Sequence, residues 1–558
     1  MNDIRRTILW VIFGFSMVLL WDKWQIHNGN KPLFFPSAQQ SAPAASASVP
    51  AAAASSAAPA AGGVAAAPAA AGASAPVASL PRERVDVSTD VYKLSFDSEG
   101  GSLVKAELLQ YPDPEDKTQP FTLLDNSHAR VYLAQTGLIG GGFPNHKTVM
   151  HVVPGPRALA DGQDQLAVRF ESPDLGGVKL VKTYTLRRGA YDIAVQQEVI
   201  NTGTAPVSPQ LYFQLVRDGN KPAGGAAFTS TFTGAAVYTS DKKYQKADFA
   251  DIKKNKEDIQ KQASDGYIAM VQHYFASAWL LGDGISRELS MDGVDIGASV
   301  PDCCYRVSMI TPLSDIAPGA SKTVEARLYV GPEEEKKLEL LTPGLELVKD
   351  YGHLTILAKP LYWLLDKLHG FIGNWGWSIM ALVVLLKAAF FWLNAKAYAS
   401  MAKMKAINPK ITEMRERLKD KPQQMQQEMM RIYREEKVNP MGGCLPIVIQ
   451  IPVFIALYTV LSSSVEMSNA PWIGWIHDLS VKDPLYILPV VMTCTSLLQT
   501  WLNPTPPDPM QAKMMWIMPL VFSVMFFSFP AGLVLYWITN NVLSIAQQWL
   551  INKRLGVN

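Results

Sequence analysis

A single lysine interrupts a long apolar run in the second half of the chain. Lys387 lies within residues 379–393, and every other residue of that segment is apolar. An ammonium group inside a hydrocarbon layer costs a few kcal/mol, so it requires water or a polar partner. At about 1.5 Å per residue, Lys387 lies roughly 12 Å from the nearer edge of a 30 Å core, about twice the reach of its stem. We therefore favour a water-filled cavity open to the cytoplasm over snorkelling or helix packing.

Polar residues recur on one face of the last apolar segment. The positions i, i+4, i+8 and i+11 share one side of a helix, which we call the polar face, and they hold Tyr536, Asn540, Ser544 and Gln547. The polar face is consistent with a wet cavity, but hydrogen bonding between helices explains it equally well. Three residues of neighbouring segments fit either interpretation, namely Gln450, Thr495 and Gln499.

No residue pattern indicates an enzyme, a cofactor or a metal. The chain contains no glycine loop for nucleotides and no His-Glu-x-x-His or Gly-x-Ser-x-Gly motif. Ser400 and Lys403 match Ser-x-x-Lys, a short pattern that arises readily by chance and lacks its usual companions. The four cysteines do not fit a zinc site or a disulfide framework. The adjacent Cys303 and Cys304 could form a strained vicinal bridge in an oxidising compartment, but we favour two reduced thiols.

The elements that position these residues follow from composition. The 558 residues carry a net charge of only +2, which gives no reason to propose nucleic acid as a partner. An apolar run at 8–21, preceded by Arg5 and Arg6, is typical of an uncleaved signal anchor with its basic end in the cytoplasm. Residues 37–80 are nearly all Ala, Pro, Ser and Gly, a composition that predicts a linker without a packed core.

Two further regions differ in their apolar period. Alternating apolar residues over 85–330, separated by turn residues, predict antiparallel strands in a sandwich-like exported domain. A lysine-rich stretch at 242–261 breaks this pattern and predicts a surface loop or helix. From residue 331 the period becomes helical, with Leu361, Leu365 and Leu368 on one side, and this segment is expected to lie along the membrane surface.

Five apolar segments follow, each near the length of about 20 residues that a span requires. We place them at 375–393, 444–463, 485–502, 514–529 and 531–550, the last two joined by a tight turn. The loop at 394–440 is rich in Lys and Arg, whereas the next loop has a single lysine, Lys482, so the first loop is cytoplasmic and the second exported. With the anchor, this predicts six spans and two cytoplasmic termini.

The cytoplasmic loop is predicted to form a helical hairpin, because Pro409 and Pro422 each suit a helix start. Its second helix carries Met425, Met429 and Met430, which suit either variable apolar partners or the hairpin seam.

The expected fold is therefore an α-helical polytopic membrane bundle plus an all-β sandwich. Its parts are the anchor at 1–24, the linker at 25–84, the sandwich at 85–330, an amphipathic interfacial region at 331–372, and the five-span core at 373–558 with its hairpin at 394–440.

Several longer motifs resemble one family. They are Asn374-Trp375-Gly376-Trp377-Ser378, Ser400-Met401-Ala402-Lys403-Met404, Asn439-Pro440-Met441-Gly442-Gly443-Cys444-Leu445-Pro446, Gln450-Ile451-Pro452, the segment from Phe529 to Trp537, and Gln272-His273-Tyr274-Phe275. Together they are similar to the YidC/Oxa/Alb family of insertases in its Gram-negative form, over the whole chain.

The resemblance implies a membrane protein insertase and chaperone of the bacterial inner membrane, with no cofactor, no metal and no small-molecule substrate. Residues 25–372 would be largely periplasmic, and the sandwich would be similar to sugar mutarotases. The implied partners are nascent membrane proteins, the Sec translocon with its accessory subunits, the ribosome, the signal-recognition targeting pathway and the lipid bilayer.

The resemblance also implies a hydrophilic groove open to cytoplasm and lipid. The family's positive residue matches Lys387, where arginine is more usual, so the charge is kept but the bidentate fork is lost. A small polar residue one turn earlier is replaced by Val383, which makes that side drier. Family substrate contacts correspond to Phe454, Tyr536 and Trp537. With Gln450, Asn540 and Ser544, these residues and Lys387 form the predicted groove.

Two other functions fit parts of the pattern. A transporter or channel would also place a cation and polar side chains inside a bundle. An envelope carbohydrate-binding or sugar-modifying protein would use the sandwich and need the spans only as an anchor, although five further spans exceed that need.

Overall fold

The computed structural model describes residues 81–140, 142–222, 232–297, 300, 303–419, 421–436, 445–503 and 509–554. The predicted anchor at 1–24, nearly all of the predicted linker, and the motif segment at 439–444 lie outside these ranges.

Short extended segments separated by turns fill the first part of the described chain. The strands are β1 (Arg84–Ser88), β2 (Tyr92–Asp97), β3 (Ser102–Pro112), β4 (Pro120–Asn126), β5 (Val131–Ile139), β6 (His151–Val152), β7 (Gln165–Glu171), β8 (Val178–Arg187) and β9 (Asp192–Asn201). They continue with β10 (Gln210–Arg217), β11 (Gly234–Thr239), β12 (Lys243–Asp248), β13 (Gln262–Ala263), β14 (Tyr267–Gln272), β15 (Phe275–Leu281), β16 (Arg287–Gly293), β17 (Tyr305–Pro312) and β18 (Ser321–Pro332).

The strands form two antiparallel sheets that pack face to face. One sheet has the order β1-β2-β3-β4-β5-β10-β17-β16-β13, and the other has the order β12-β11-β14-β15-β18-β9-β8-β7-β6. Alternate side chains fill the space between them, among them the fully buried Phe96, Phe213 and Trp279. The Trp279 Nε1–H donates across this layer to the carbonyl of Gln214, at 3.1 Å. The predicted sandwich is confirmed.

Two local features in this region differ from expectation. The lysine-rich stretch contains the expected helix, α1 (Phe249–Lys253), and loop, but it begins with the edge strand β12, because an edge strand pairs on one side only and can leave its lysines in water. Cys303 and Cys304, expected to be reduced, are joined as a vicinal disulfide.

The sandwich also buries a complete lysine side chain. Lys182 on β8 is fully enclosed and donates to the carbonyls of Gly100 and Thr136, at 2.6 and 2.7 Å. Gly100 has a φ of +73°, and a Cβ there would lie 2.5 Å from the His146 carbonyl oxygen, so only glycine fits this turn. Burial lowers the pKa of Lys182 to about 7.

This pKa predicts a pH-dependent stability. Unfolded lysine titrates near 10.4, so the unfolded chain binds more protons than the folded chain between about pH 7 and 10.4. The cost of burying Lys182 is therefore full below pH 7 and declines as the pH rises through that window. We expect the unfolding free energy of the wild type, relative to Lys182→Met, to increase by at most about 1.4 kcal/mol per pH unit. Denaturant unfolding of both full-length proteins from pH 7 to 9 measures it, and parallel curves would refute it.

Helices make up the rest of the described chain. They are α2 (Glu335–Leu341), α3 (Thr355–Ile372), α4 (Trp375–Ala389), α5 (Phe391–Arg417), α6 (Pro422–Glu435), α7 (Leu445–Ser463), α8 (Ile487–Leu502), α9 (Pro509–Phe526) and α10 (Ala531–Arg554). Within the described residues no single helix is long and apolar enough to cross a membrane, but the α4 and α5 pair, bent by 69°, reaches that length.

The predicted tight turn between the last two helices is present. Helix α9 ends at Phe526, and α10 begins at Ala531. The backbone N–H groups of Ala531 and Gly532 donate to the carbonyls of Val481 and Leu479, at 2.8 and 3.0 Å. The loop before α8 thus satisfies amides at the start of α10 that have no partner within the helix.

Other helical predictions are partly wrong. Pro422 begins α6 as expected, but Pro409 lies inside the long helix α5 and does not begin a new one. On α3, Leu361 and Leu368 pack against the bundle core, whereas Ile356, Trp363 and Phe371 are exposed. The predicted leucine face therefore contacts protein, and an opposite apolar face is not covered by any part of the chain that the structure describes.

The sandwich and the bundle meet at a buried ion pair, which we call the junction. The Lys349 ammonium, with a fully buried side chain, lies 3.1 Å from the carboxylate of Glu466, which also accepts from the Tyr362 hydroxyl at 2.6 Å. Val465, beside Glu466, belongs to the sandwich core, whereas Tyr351, two residues after Lys349, belongs to the bundle core. Each part thus inserts residues into the other.

The junction predicts a large effect of removing one partner. Lys349→Met leaves the Glu466 carboxylate without its cation, and we expect it to cost about 2 kcal/mol, below the range for fully buried pairs because Glu466 keeps some exposure. Thermal unfolding of the full chain in detergent measures this. The exposed Lys242, which pairs with Asp258, provides the control, since Lys242→Met should change stability by less than about 0.5 kcal/mol. Equal effects of the two substitutions would contradict the assignment.

Candidate functional site

The cation predicted from the sequence points into the helical bundle. Lys387 lies near the end of α4, and its Nζ donates to the Ser544 Oγ on α10 at 2.7 Å. Ser544 in turn donates to the carbonyl of Asn540, one turn earlier, at 2.7 Å. Among the residues that the structure describes, no carboxylate forms an ion pair with Lys387. The ammonium is therefore held by a neutral hydroxyl and keeps its charge uncompensated.

A small cavity of about 40 Å³, partly open to solvent, adjoins this lysine. We call it the groove, and it is lined by Val383, Leu386, Lys387, Phe390, Leu393, Asn394, Gln450, Val453, Tyr536 and Asn540. Four of the predicted groove residues thus surround one space, and Ser544 contacts it through Lys387. The lining mixes apolar walls with a few polar groups, a combination suited to amphipathic chain segments.

The aromatic residues of the prediction lie beside the groove. The Phe454 ring packs on Tyr536 and Trp537, with ring centroids 6.1 and 4.9 Å apart. Trp537 also contacts Phe526 at the end of α9, with centroids 5.2 Å apart. Phe454 and Trp537 therefore form an aromatic wall that continues from Tyr536. Val383, the apolar departure from the family pattern, is buried on the α4 side of the groove.

Sequence reasoning missed two polar groups of the site. Asn394 lines the groove, and the buried Tyr398 side chain lies close to Ser544. Both lie on α5, in a segment that the sequence assigned to the cytoplasmic hairpin. They lie seven and eleven residues after Lys387, but periodicity could not indicate them because the helix bends by 69° between α4 and α5. The sharp bend between α4 and α5 turns this segment back toward the groove.

Helix α10 has a second polar side that faces away from the groove. The Asn541 side-chain amide donates to the hydroxyls of Thr495 and Ser496 on α8, at 3.2 and 2.9 Å. Seven residues later, about two turns along the helix, the Gln548 side-chain amide donates to the carbonyl of Leu502 at 3.2 Å. These bonds join α8 to α10. The sequence left Thr495 open between the cavity and helix packing, and the structure places it in helix packing.

The polar face itself serves both purposes. Tyr536 and Asn540 line the groove, whereas the Gln547 amide donates to the carbonyl of Phe391 at 3.2 Å and so joins α10 to the start of α5. Residues that line the groove and a residue that hydrogen-bonds to another helix thus lie on the same face of α10.

The methionines of the hairpin are separate from the groove. Met425 and Met429 on α6 pack against a small core formed by Ile407, Ile411 and Met414 of α5, so they contribute to the hairpin seam. Met430 is exposed. Of the three, Met430 is the one whose side chain is exposed enough to contact a partner.

The motif at the start of α4 has a structural role. Asn374 is the N-cap of α4, and its side chain accepts from the Trp377 N–H at 3.2 Å while donating to the carbonyl of Pro471 at 3.1 Å. A Cβ on Gly376 would lie 2.2 Å from the Trp472 ring, so the glycine lets the loop between α7 and α8 pack on α4. The motif fixes the start of the helix that carries Lys387.

Comparisons with known proteins agree with this two-part architecture. The profile of the YidC periplasmic domain matches residues 84–364, and the profile of the 60Kd inner membrane protein matches residues 367–557. The chain is thus an inner-membrane protein with a periplasmic sandwich and a C-terminal helical region.

Curated relatives match over nearly the full length. The membrane protein insertase YidC of Cupriavidus taiwanensis is 56% identical, with 99% of this chain and 98% of the relative covered. The protein of the same description from Burkholderia ambifaria is 54% identical, with 99% of both chains covered. The chain belongs to the YidC family of membrane protein insertases. It is an insertase and not an enzyme, so the transporter and carbohydrate-binding alternatives do not hold.

Solved structures add less. A crystal structure described as an active YidC insertase with its first transmembrane domain resolved covers 83% of this chain at 18% identity, with a TM-score of 0.38. A putative aldose 1-epimerase from Escherichia coli covers 45% at 12% identity, with a TM-score of 0.29.

The two polar sides of α10 predict opposite phenotypes for adjacent asparagines. Asn541→Ala removes two bonds to α8, and we expect it to lower stability by about 1 kcal/mol while leaving insertion unchanged. Asn540→Ala should weaken insertion with a smaller effect on stability, because the carbonyl that accepts from Ser544 is retained. Unfolding in detergent and insertion into proteoliposomes measure the two quantities. If both variants change the same quantity, the assignment of Asn541 to helix packing and of Asn540 to the groove is wrong.

Proposed function

We propose that the groove is the path by which the polar, exported part of a substrate enters the membrane. The observation that supports this most is the Lys387 ammonium, which lies beside an amphipathic cavity and has a hydroxyl, rather than a carboxylate, as its partner. A substrate carboxylate can accept from the N–H groups that Ser544 leaves free. The site thus offers a polar segment a partner within the bundle.

The physical basis is a lower cost of transfer. Polar backbone and side chains lose water when they enter hydrocarbon, and every unsatisfied group costs several kcal/mol. Asn394, Gln450 and Asn540 offer hydrogen bonds along the groove, and water can fill the space between them. Burial of the substrate's apolar segment in lipid then favours insertion, so no nucleotide is required.

Six spans with both termini in the cytoplasm remain our proposed topology. The exposed tryptophans support it: Trp392 lies at the start of α5, Trp501 at the end of α8 and Trp549 near the end of α10, all ends expected at the cytoplasmic side. Lys396 and Lys553 lie over the rings of Trp392 and Trp549, as expected where rings meet a charged surface.

The exported side has matching features. Trp363, Trp377 and Phe371 are exposed near the start of α4 and on α3. We propose that the uncovered apolar face of α3 lies in the headgroup region of the outer leaflet. Two rows of aromatic residues would then mark the two membrane surfaces.

We also propose that the hairpin of α5 and α6 contacts the ribosome or the targeting pathway, and that the insertase works alone or beside the Sec translocon. The exposed Lys403, Lys410 and Arg417 support the first part, since clustered cations attract RNA phosphates as well as anionic lipids. Met430 adds an exposed apolar contact.

The charge of Lys387 provides the test. We expect Lys387→Ala to reduce insertion of a short protein with an acidic exported tail by about tenfold, because the tail loses its ionic partner in the bundle. Lys387→Arg should retain insertion, since the charge persists. Insertion is measured as protease protection in proteoliposomes.

A matched substrate separates charge from general damage. A tail in which glutamines replace the acidic residues should be inserted equally by wild type and Lys387→Ala. A photo-crosslinker at Tyr536 should label the stalled nascent chain. The proposal that the groove is the insertion path would be refuted if Lys387→Ala inserted the acidic tail normally. It would also be refuted if the crosslinker at Tyr536 labelled lipid but no substrate.

A further inference from the structure

Three helices meet at the hydroxyl of Ser544. Lys387 comes from α4, Tyr398 from α5 and Ser544 itself from α10. Ser544 and Tyr398 are buried, with 2% and 7% of their surfaces exposed. The Ser544 hydroxyl thus joins α4 to α10, with Tyr398 of α5 packed beside it.

The directions of the two hydrogen bonds at this hydroxyl are fixed. A serine hydroxyl has one proton to donate and two lone pairs to accept with. The proton goes to the Asn540 carbonyl, which can only accept, at 2.7 Å. A lone pair therefore accepts from the Lys387 ammonium, which can only donate.

This arrangement restricts where the ammonium can lie. A lysine stem is long and flexible, and without a fixed acceptor the ammonium would move toward water at the membrane edge. Ser544 offers an acceptor inside the bundle, on a helix whose position is fixed by separate bonds from Asn541 and Gln548 to α8. Because the acceptor is neutral, it holds the ammonium without cancelling its charge.

We propose that Ser544 is a positioning residue that holds the Lys387 ammonium at the wall of the groove, with the Asn540 carbonyl orienting the Ser544 hydroxyl. This inference deepens the proposed function and rests on it, because the charge it positions is the one that receives acidic tails.

The first test examines the lysine directly. The full-length protein is treated at pH 8 with a small amine-reactive acylating reagent, and acylation of Lys387 is quantified by mass spectrometry. The reaction requires that the Lys387 amine be neutral, with its electron pair free, and that the reagent can reach it. Ser544→Ala removes an acceptor from the ammonium, and we expect the rate to rise by about fivefold to tenfold. Ser544→Thr, which restores a hydroxyl, should return it to within about twofold of wild type. An unchanged rate in Ser544→Ala overturns the proposal, whatever the insertion result.

The second test asks whether Ser544 acts through Lys387. Ser544→Ala should reduce insertion of the acidic-tailed substrate by about threefold to tenfold, and Ser544→Thr should restore it. In a Lys387→Ala background, Ser544→Ala should cause no further loss. A further loss of the same size in that background would show a structural role and overturn the proposal.

Two controls keep the outcomes separate. Ser544→Cys replaces the hydroxyl by a weaker acceptor and should show a weaker form of both effects, so the proposal remains testable even if Ser544→Ala does not fold. If Lys387→Ala inserts the acidic tail normally while Ser544→Ala still raises the acylation rate, the groove function fails but the positioning role of Ser544 stands.

Discussion

An ammonium group placed among apolar helices requires its partners to come from the protein or from water. Lys387 is half-buried in α4, and the nearest donor and acceptor groups lie on α5, α7 and α10. To bring them together, α5 bends back from α4, and α10 turns its polar face inward. The bundle is arranged around this requirement, since its other polar contacts, such as Asn541 with α8, fix the helices that surround the lysine.

The sandwich contributes to the same arrangement from the exported side. Lys349 pairs with Glu466 directly after α7, and the loop before α8 caps the start of α10 through Leu479 and Val481. The ends of α4, α7 and α10 that lie nearest the sandwich are thus held by packing and hydrogen bonds, and the groove is lined by residues further along these helices.

Much of the site could be predicted because its residues lie at helical spacing within apolar segments. The periodicity of the sequence alone places Tyr536, Asn540 and Ser544 on one helix face. Lys387 is conspicuous because an ammonium group within an apolar segment costs a few kcal/mol of free energy. Asn394 and Tyr398 could not be found in the same way, because the segment that holds them changes from apolar to basic and was assigned to the hairpin. Pro409 misled in a similar manner, since proline suits a helix start but is also tolerated within long helices.

The sequence by itself determined the order and type of the elements, the division into a sandwich and an apolar bundle, and the position of the cation. These properties depend on local composition and on the period of apolar residues, both of which are contained in short stretches of chain. Only the tertiary structure decided the partner of that cation and the roles of the two polar sides of α10. Lys387 and Ser544 are 157 residues apart, and Lys349 and Glu466 are 117 residues apart. Which residues meet across such distances depends on how each helix is rotated against its neighbours, and side-chain packing sets that rotation.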